Sequence, residues 1–472
     1  MMEKGKNITH SSKDYPFYYL LEPSIIKLSN KFLRGKLKMS KKLVSSLLCV
    51  VMAASIFVGC GKQANQPNQG ETPGTEGNTS TQGANLTLWS IATESDAFHS
   101  AYTRAIADFE EANAGVKVKH ETFENQSYKT KIKSAVAANE LPDIFFTWGG
   151  GFSRPFIDAG KVLPLDDYFA PYQGQISDAA LSNVMYDGKL YGSTFTTPLS
   201  AIFYNKKLFD DNGIKVPTNW DEFIAACKTL KDNGITPIGI SAKDTWVIAM
   251  THDNLVLKSA GPEKVNAALT KSGQSYNDAD FINASAKLRE LIDMGAFPEG
   301  AAGLSNDEAS AMFYNGTAAM YTTGSWMAGS IQTDPENPED FDVYPFPAVG
   351  GNGKATDLMG GATDSFMVNA ATPNKDIAAK AAFEITKGIS KYAYLDGAGI
   401  AAWQVDYDDS PVPELTKKVA ELASTATSFT IWYDTLMEAE DAGEYLTLLQ
   451  ELYMGNISPE DFAKGMDNQL SK

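Results

Sequence analysis

Between residues 86 and 146 the chain switches repeatedly between two-residue and helical hydrophobic periods, and this alternation excludes most architectures. Leu86-Thr87-Leu88-Trp89 alternates as a half-buried strand. Residues 96–113 follow, with Ala101, Ala105, Ile106 and Phe109 on one helical face. Val116-Lys117-Val118-Lys119-His120 alternates again, and residues 126–139 carry a second helical pattern. Asp143-Ile144-Phe145-Phe146 is short and continuously apolar, as a strand covered on both faces must be. Strand, helix, strand, helix, strand predicts an α/β domain with a doubly wound sheet. Ligands of such sheets bind beyond the carboxyl ends of the strands. Here those ends run into residues 90–95, 123–126 and 147–152.

A second set of elements begins with a strand at Ala201-Ile202-Phe203-Tyr204-Asn205. Helices are predicted over 221–233, 245–257 and 280–294, and strands over 318–321 and 364–369. Pro198 and the Gly360-Gly361 pair mark changes of chain direction.

The N-terminal region is of another kind. Met39-Ser40-Lys41-Lys42 is a short basic start, followed by an apolar run over 43–58 that ends at Gly59-Cys60. A basic region, an apolar region and a small residue at the cleavage position form a signal peptide over 39–59. Residues 1–38 fit no targeting pattern, so Met39 is the expected translation start. From Gly61 to Ala84 the chain has almost no apolar side chains, and 60–84 is read as a lipidated Cys60 with a flexible tether. Stable anchoring needs more than one acyl chain, at about 0.8 kcal/mol per buried CH₂.

Charge narrows the partners. The chain carries 40 basic and 58 acidic side chains, net −18. Residues 1–59 hold ten basic and three acidic ones, which leaves the remainder near −25. So acidic a body repels nucleic acid and anionic membrane surfaces. Cys49 leaves with the signal and Cys60 takes lipid, so Cys227 is a lone thiol with no disulfide partner, read as a packed small side chain. The four His show no ligand spacing. Gly149-Gly150-Gly151 lacks the Lys-Ser/Thr pair of a nucleotide loop. No metal or cofactor is expected.

Several segments carry a family resemblance as an ordered set. Leu141-Pro142-Asp143-Ile144-Phe145-Phe146 precedes Trp148-Gly149-Gly150-Gly151. Asp187-Gly188-Lys189-Leu190-Tyr191-Gly192 leads to Thr197-Pro198 and Phe203-Tyr204-Asn205-Lys206-Lys207-Leu208-Phe209. Pro217-Thr218-Asn219-Trp220-Asp221-Glu222-Phe223, Phe313-Tyr314-Asn315-Gly316-Thr317-Ala318-Ala319-Met320, Gly324-Ser325-Trp326 and Met454-Gly455-Asn456-Ile457-Ser458-Pro459 follow. Across 85–472 this resembles the family 1 extracellular solute-binding proteins of ABC importers, relatives of maltodextrin-binding protein. Ile56-Phe57-Val58-Gly59-Cys60 resembles a lipoprotein lipobox, with Phe57 where Leu is usual. The resemblance implies a two-lobed α/β fold of type II, hinged, with lobes discontinuous in sequence. The first lobe would be 85–199 with 363–408 and the second 200–362 with 409–472. It also implies a lipid-anchored, extracytoplasmic monomer that captures a carbohydrate, an oligosaccharide above all, and delivers it to a permease. No catalysis is implied. The loop Trp148–Gly151 lacks the charged residues of the maltodextrin binder, so ligand identity does not transfer.

Sugars are held by flat aromatic rings and by forked polar groups. Trp89 is expected in the core and Trp220 as a plug at a helix start. Trp326 and Trp432 fall where family members place stacking aromatics, and Trp148, Trp246 and Trp403 lie in loops or at element ends. Glu94, Asn125, Asp244, Asp364 and Asp434 are the polar candidates, Glu94 beside a helix start that Ser95 or Asp96 could also cap. Three alternatives stay open at this stage: a trap for a non-sugar solute, a secreted glycoside hydrolase with a carboxylate pair, and a surface adhesin.

Overall fold

The computed structural model describes residues 83–472. The basic start, the apolar run, Cys60 and all of the tether but its last residues lie outside them. In chain order the strands are β1 Asn85–Ser90, β2 Lys117–Thr122, β3 Ile144–Trp148, β4 Met185–Tyr186, β5 Lys189–Leu190, β6 Gly192–Thr194 and β7 Ser200–Asn205. They continue as β8 Thr236–Gly239, β9 Ala318–Gly324, β10 Phe341–Tyr344, β11 Asp357–Met359, β12 Asp364–Val368 and β13 Ser428–Thr430.

The first sheet has the order β2-β1-β3-β12-β6. β1 runs parallel to β2 and to β3, with Leu88 opposite Ile144. β12 enters antiparallel, with Phe366 opposite Phe146 of β3 and Ser193 of β6. Ile144, Phe145 and Phe146 are buried, as their continuous apolar run requires. The first helix starts at His99 rather than at residue 96. The second, Asn125–Ala138, is capped by Glu124, whose carboxylate accepts from the Gln126 and Ser127 N–H groups. Asn139, at φ 59°, ends it in the left-handed conformation.

The second sheet has the order β10-β7-β9-β8. β7 is buried at every position and antiparallel to β9, with Ile202 opposite Thr322. The helix Thr245–Ala260 is buried from Val247 onward and packs against the helices Ala279–Asp293 and Ala439–Met454. Several of its interior polar groups are paired. The Tyr445 hydroxyl donates to the Asp253 carboxylate and lies 3.0 Å from His252 Nδ1, while His252 Nε2 is 3.1 Å from Ser285 Oγ. Lys258 is fully buried, and its ammonium donates to the carbonyls of Lys354 (2.9 Å), Ala355 (3.0 Å) and Asp357. Burial pulls its pKa down to about 8, against the pull of Asp357. Cys227 packs in this core, where burial pushes its thiol up to about 12. Trp220 is buried at a helix start and donates Nε1–H to Glu290 at 3.0 Å. Trp89 is only partly buried, with Lys131 Nζ 4.1 Å over its ring.

Apolar side chains gather into two cores. One draws on residues 86–195 and 362–403, the other on 199–359 and 415–470. The chain passes between them side by side: Thr197 N–H donates to the Ile400 carbonyl (3.0 Å), Gly361 N–H donates to the Pro198 carbonyl (2.9 Å), and Leu199 bridges Gly360. Away from these crossings, Gly151 meets the second core so closely that a Cβ there would lie 2.0 Å from the Met437 carbonyl oxygen. The glycine run is therefore a place of close backbone approach.

Candidate functional site

A cavity of about 740 Å³ lies between the two cores. From the first it is lined by the segments that follow β1, β2 and β3, the carboxyl ends where doubly wound sheets bind ligands. From the second it is lined by the start of the helix Thr245–Ala260, the helix Asn306–Tyr314, and the segments that follow β9 and β13. This volume suits a small molecule of several rings.

Indoles dominate its walls. The Trp326 ring centroid is 6.2 Å from that of Trp432 and 6.3 Å from that of Trp246, inclined at 48° and 58°. Trp326 packs against both cores. Its ring lies over Gly324, where a Cβ would come within 2.0 Å of it. From the first core, Trp148 stands edge-on to Phe146 (4.8 Å) and Phe152 (5.1 Å), with Lys129 Nζ 5.1 Å from its ring. Three lining groups find no partner among the described residues: Trp432 Nε1, Asn125 Oδ1 and the Thr363 hydroxyl. Buried polar atoms are normally bonded, so these suit the hydroxyls of a polar guest.

The carboxylates differ in their freedom. Asp244 Oδ2 accepts from Asn306 N–H at 2.7 Å. Asp434 lies 3.5 Å from Lys129. Asp253 accepts from the Tyr433 N–H at 3.1 Å and from Tyr445, yet burial holds its pKa well above the usual carboxylate range. By these bonds it fixes the backbone next to Trp432. Asp96 Oδ1 accepts from Phe98 N–H at 2.8 Å, and Asp364 makes no side-chain hydrogen bond among the described residues. Burial pushes Asp364 up to about 7, with Asp96 adding to the rise, and pushes Asp96 up to about 6 against the Phe98 bond.

A family model described as bacterial extracellular solute-binding protein matches residues 92–384. The chain belongs to that family. Among its relatives, the multiple sugar-binding protein of Streptococcus mutans is 26% identical over 348 residues, 72% of this chain and 80% of its own. A solved structure titled for xylan utilization by the thermophilic bacterium Caldanaerobius polysaccharolyticus superposes with a TM-score of 0.79 at 36% identity, over 81% of this chain and 99% of that one. A chitin oligosaccharide binding protein superposes with a TM-score of 0.75 at 26% identity, over 82% and 98%. The fold is the two-lobed, type II arrangement of these neighbours.

In this solute-binding protein, eight sequence candidates line one cavity: Trp148, Trp246, Trp326, Trp432, Asn125, Asp244, Asp364 and Asp434. Two do not. Trp403 is 3% exposed in the first core, where its Nε1–H donates to the Thr194 carbonyl at 2.8 Å and its ring meets Tyr172 edge-on. Glu94 is exposed. The turn from Thr93 to Asp96, closed by Asp96 N–H donating to the Thr93 carbonyl at 2.9 Å, puts Thr93, Ser95 and Asp96 on the cavity and leaves Glu94 off it. Cys60 lies outside the described residues. Sequence reading missed Asp96, which it weighed only as one of two possible helix caps, and Asp253 and Thr363, which it did not single out. Asp253 did carry a signal, a charge in the apolar stretch 247–257 of a predicted helix.

Proposed function

We propose that this solute-binding protein captures an oligosaccharide between its lobes and hands it to the permease of an ABC importer. The observation that carries this reading is the cavity itself: indoles from both lobes face carboxylates and unpartnered amide, hydroxyl and indole groups. Rings cover the C–H faces of sugar units, and the polar groups take their hydroxyls. A multiple sugar-binding relative and a chitin oligosaccharide binding neighbour support the ligand class.

The parts would work as follows. The lobes, 85–199 with 363–408 and 200–362 with 409–472, bend where the chain crosses between them, two of the crossings lying side by side at Pro198–Leu199 and Gly360–Gly361. A ligand that touches both walls binds the closed form better and shifts the population by that difference. Trp326 and Trp432 form one platform, extended by Trp246, with Trp148 facing from the other lobe. Asp253 is a positioning residue, acting through the Trp432–Asp434 backbone. The protein is not an enzyme in this reading; energy comes from a separate ATPase. Cys60 carries the lipid that holds a monomer at the extracytoplasmic face.

The test is a thermal-shift screen against neutral oligosaccharides, monosaccharides, polyols, amino acids and peptides, confirmed by calorimetry. A ligand selective for the folded state raises the melting temperature by mass action. A shift with one glycan family is the expected outcome. A shift confined to a non-sugar solute, or release of sugar fragments, refutes the reading.

A further inference from the structure

Eight of the residues lining the cavity are Asp or Glu and two are Lys. Several of these charges are already engaged. Glu124 caps its helix, Asp253 is held by Tyr445 and Tyr433, Asp244 accepts from the Asn306 backbone, and Asp434 pairs with Lys129. Lys243 is exposed. Two carboxyls of the first lobe are different. Asp364 has no side-chain hydrogen bond and Asp96 has one, and neither forms an ion pair among the described residues. Beside Asp364 the Thr363 hydroxyl is fully buried, lines the cavity and has no partner. The ionisable groups acting on the pair are Tyr102, which stays neutral, His99, and Asp307 from the opposite lobe. Of these only His99 can become cationic, and its Nδ1 lies 3.1 Å from the Ala92 carbonyl oxygen.

We propose that the trap is a charge filter in which Asp364 and Asp96 admit uncharged saccharides and reject those bearing a carboxylate, as uronic acids do. This rests on the saccharide reading above. A hydroxyl donates to either carboxyl and meets no penalty. A uronate brings a further negative charge beside these carboxylates, and like charges brought together oppose binding strongly. Specificity then comes from the repulsive element as much as from the indoles. Burial pushes Asp364 up to about 7, with Asp96 adding to the rise, and pushes Asp96 up to about 6, with the Phe98 N–H bond and His99 opposing and Asp307 adding. The filter is therefore strongest when both are ionised and relaxes as they take up protons.

The experiment uses the full-length protein and calorimetry with matched pairs: neutral xylo-, cello- and chito-oligosaccharides, each against the same oligomer carrying one uronic acid. For any pair that binds, the carboxylated member is expected to be at least about tenfold weaker near pH 8. That gap should shrink severalfold near pH 5, where a uronate with an ordinary carboxylate pKa is still ionised. Asp364→Asn and Asp96→Asn should each narrow the gap at the higher pH and flatten its pH dependence, with melting curves confirming the fold. Should either variant fold poorly, the same pH series on His99→Gln, which removes the one nearby group able to become cationic, decides: a gap that still shrinks near pH 5 supports the carboxyls and one that no longer does overturns them. Equal affinities, a preference for the uronate, or a gap indifferent to pH and to Asn overturns the filter and leaves saccharide capture standing. No saccharide of either kind binding, while another solute does, overturns both.

Discussion

Replacing Gly324 with Ala tests the indole platform without touching any group that would meet a ligand. Gly324 ends β9 in an ordinary backbone conformation, paired with Ser200, so Ala fits the chain itself. Its Cβ would lie 2.0, 2.2 and 2.4 Å from three carbons of the Trp326 ring. Carbon atoms rest at roughly 3.5–4.0 Å, so the ring must retreat by about 1.5 Å. It has little room, since Trp246 and Trp432 flank it and both cores press on it. Loss of one stacked aromatic costs roughly 1–3 kcal/mol of binding, about 5-fold to 150-fold in Kd. Overpacking also costs about 1–3 kcal/mol of stability. In a Trp326→Ala background the same change has no ring to push, so nearly the whole binding effect should vanish there, a coupling as large as the single effect. Calorimetry of the four proteins with the tightest saccharide, beside their melting temperatures, gives the cycle. Retained affinity in Gly324→Ala, or additive losses in the double variant, would refute the reasoning.

Three further outcomes are expected. Trp403→Ala should lower stability by about 3–5 kcal/mol, read by denaturant unfolding, while the folded fraction keeps its ligand affinity. Lys258→Met strips the donor from the carbonyls of Lys354, Ala355 and Asp357 and should cost about 2–4 kcal/mol, seen as a lower denaturant midpoint. Asp364 and Asp96 hold protons more tightly folded than unfolded, so their contribution to stability is complete below the usual carboxylate pKa and is lost as pH rises through about 6 and 7. Unfolding at a series of pH values should show the wild type losing stability across that window relative to the double Asn variant; parallel profiles would contradict the assignment.

Periodicity made the opening of the first sheet legible, because β1, β2 and β3 and the helices between them bury their own local patterns. The pairing of β12 between β3 and β6 had no local signature, since nothing at residues 364–368 encodes which strands flank it. Short strands such as β4 and β5 escaped for the same reason: two residues carry no period. The site divides similarly. Indoles at element ends stood out by chemistry, and four of the five proposed share the cavity. Trp403 looks the same in sequence, and only the Thr194 carbonyl that accepts its N–H separates it from them. Asp96 was weighed only as a possible cap, because an Asp just before a helix pattern suits that role whether or not it also faces a cavity.

The position of β12 also bears on the order in which this chain can fold. A polypeptide emerges from its N-terminus, and β6 meets β3 only through a strand that arrives about 170 residues later. Until residues 364–368 appear, β3 has an unpaired edge and the hydrophobic slot beside it stays open. Such long-range pairing is slow to form and leaves the nascent segment without a finished sheet. Late completion thus keeps the leading half of the chain open while the rest is still being made.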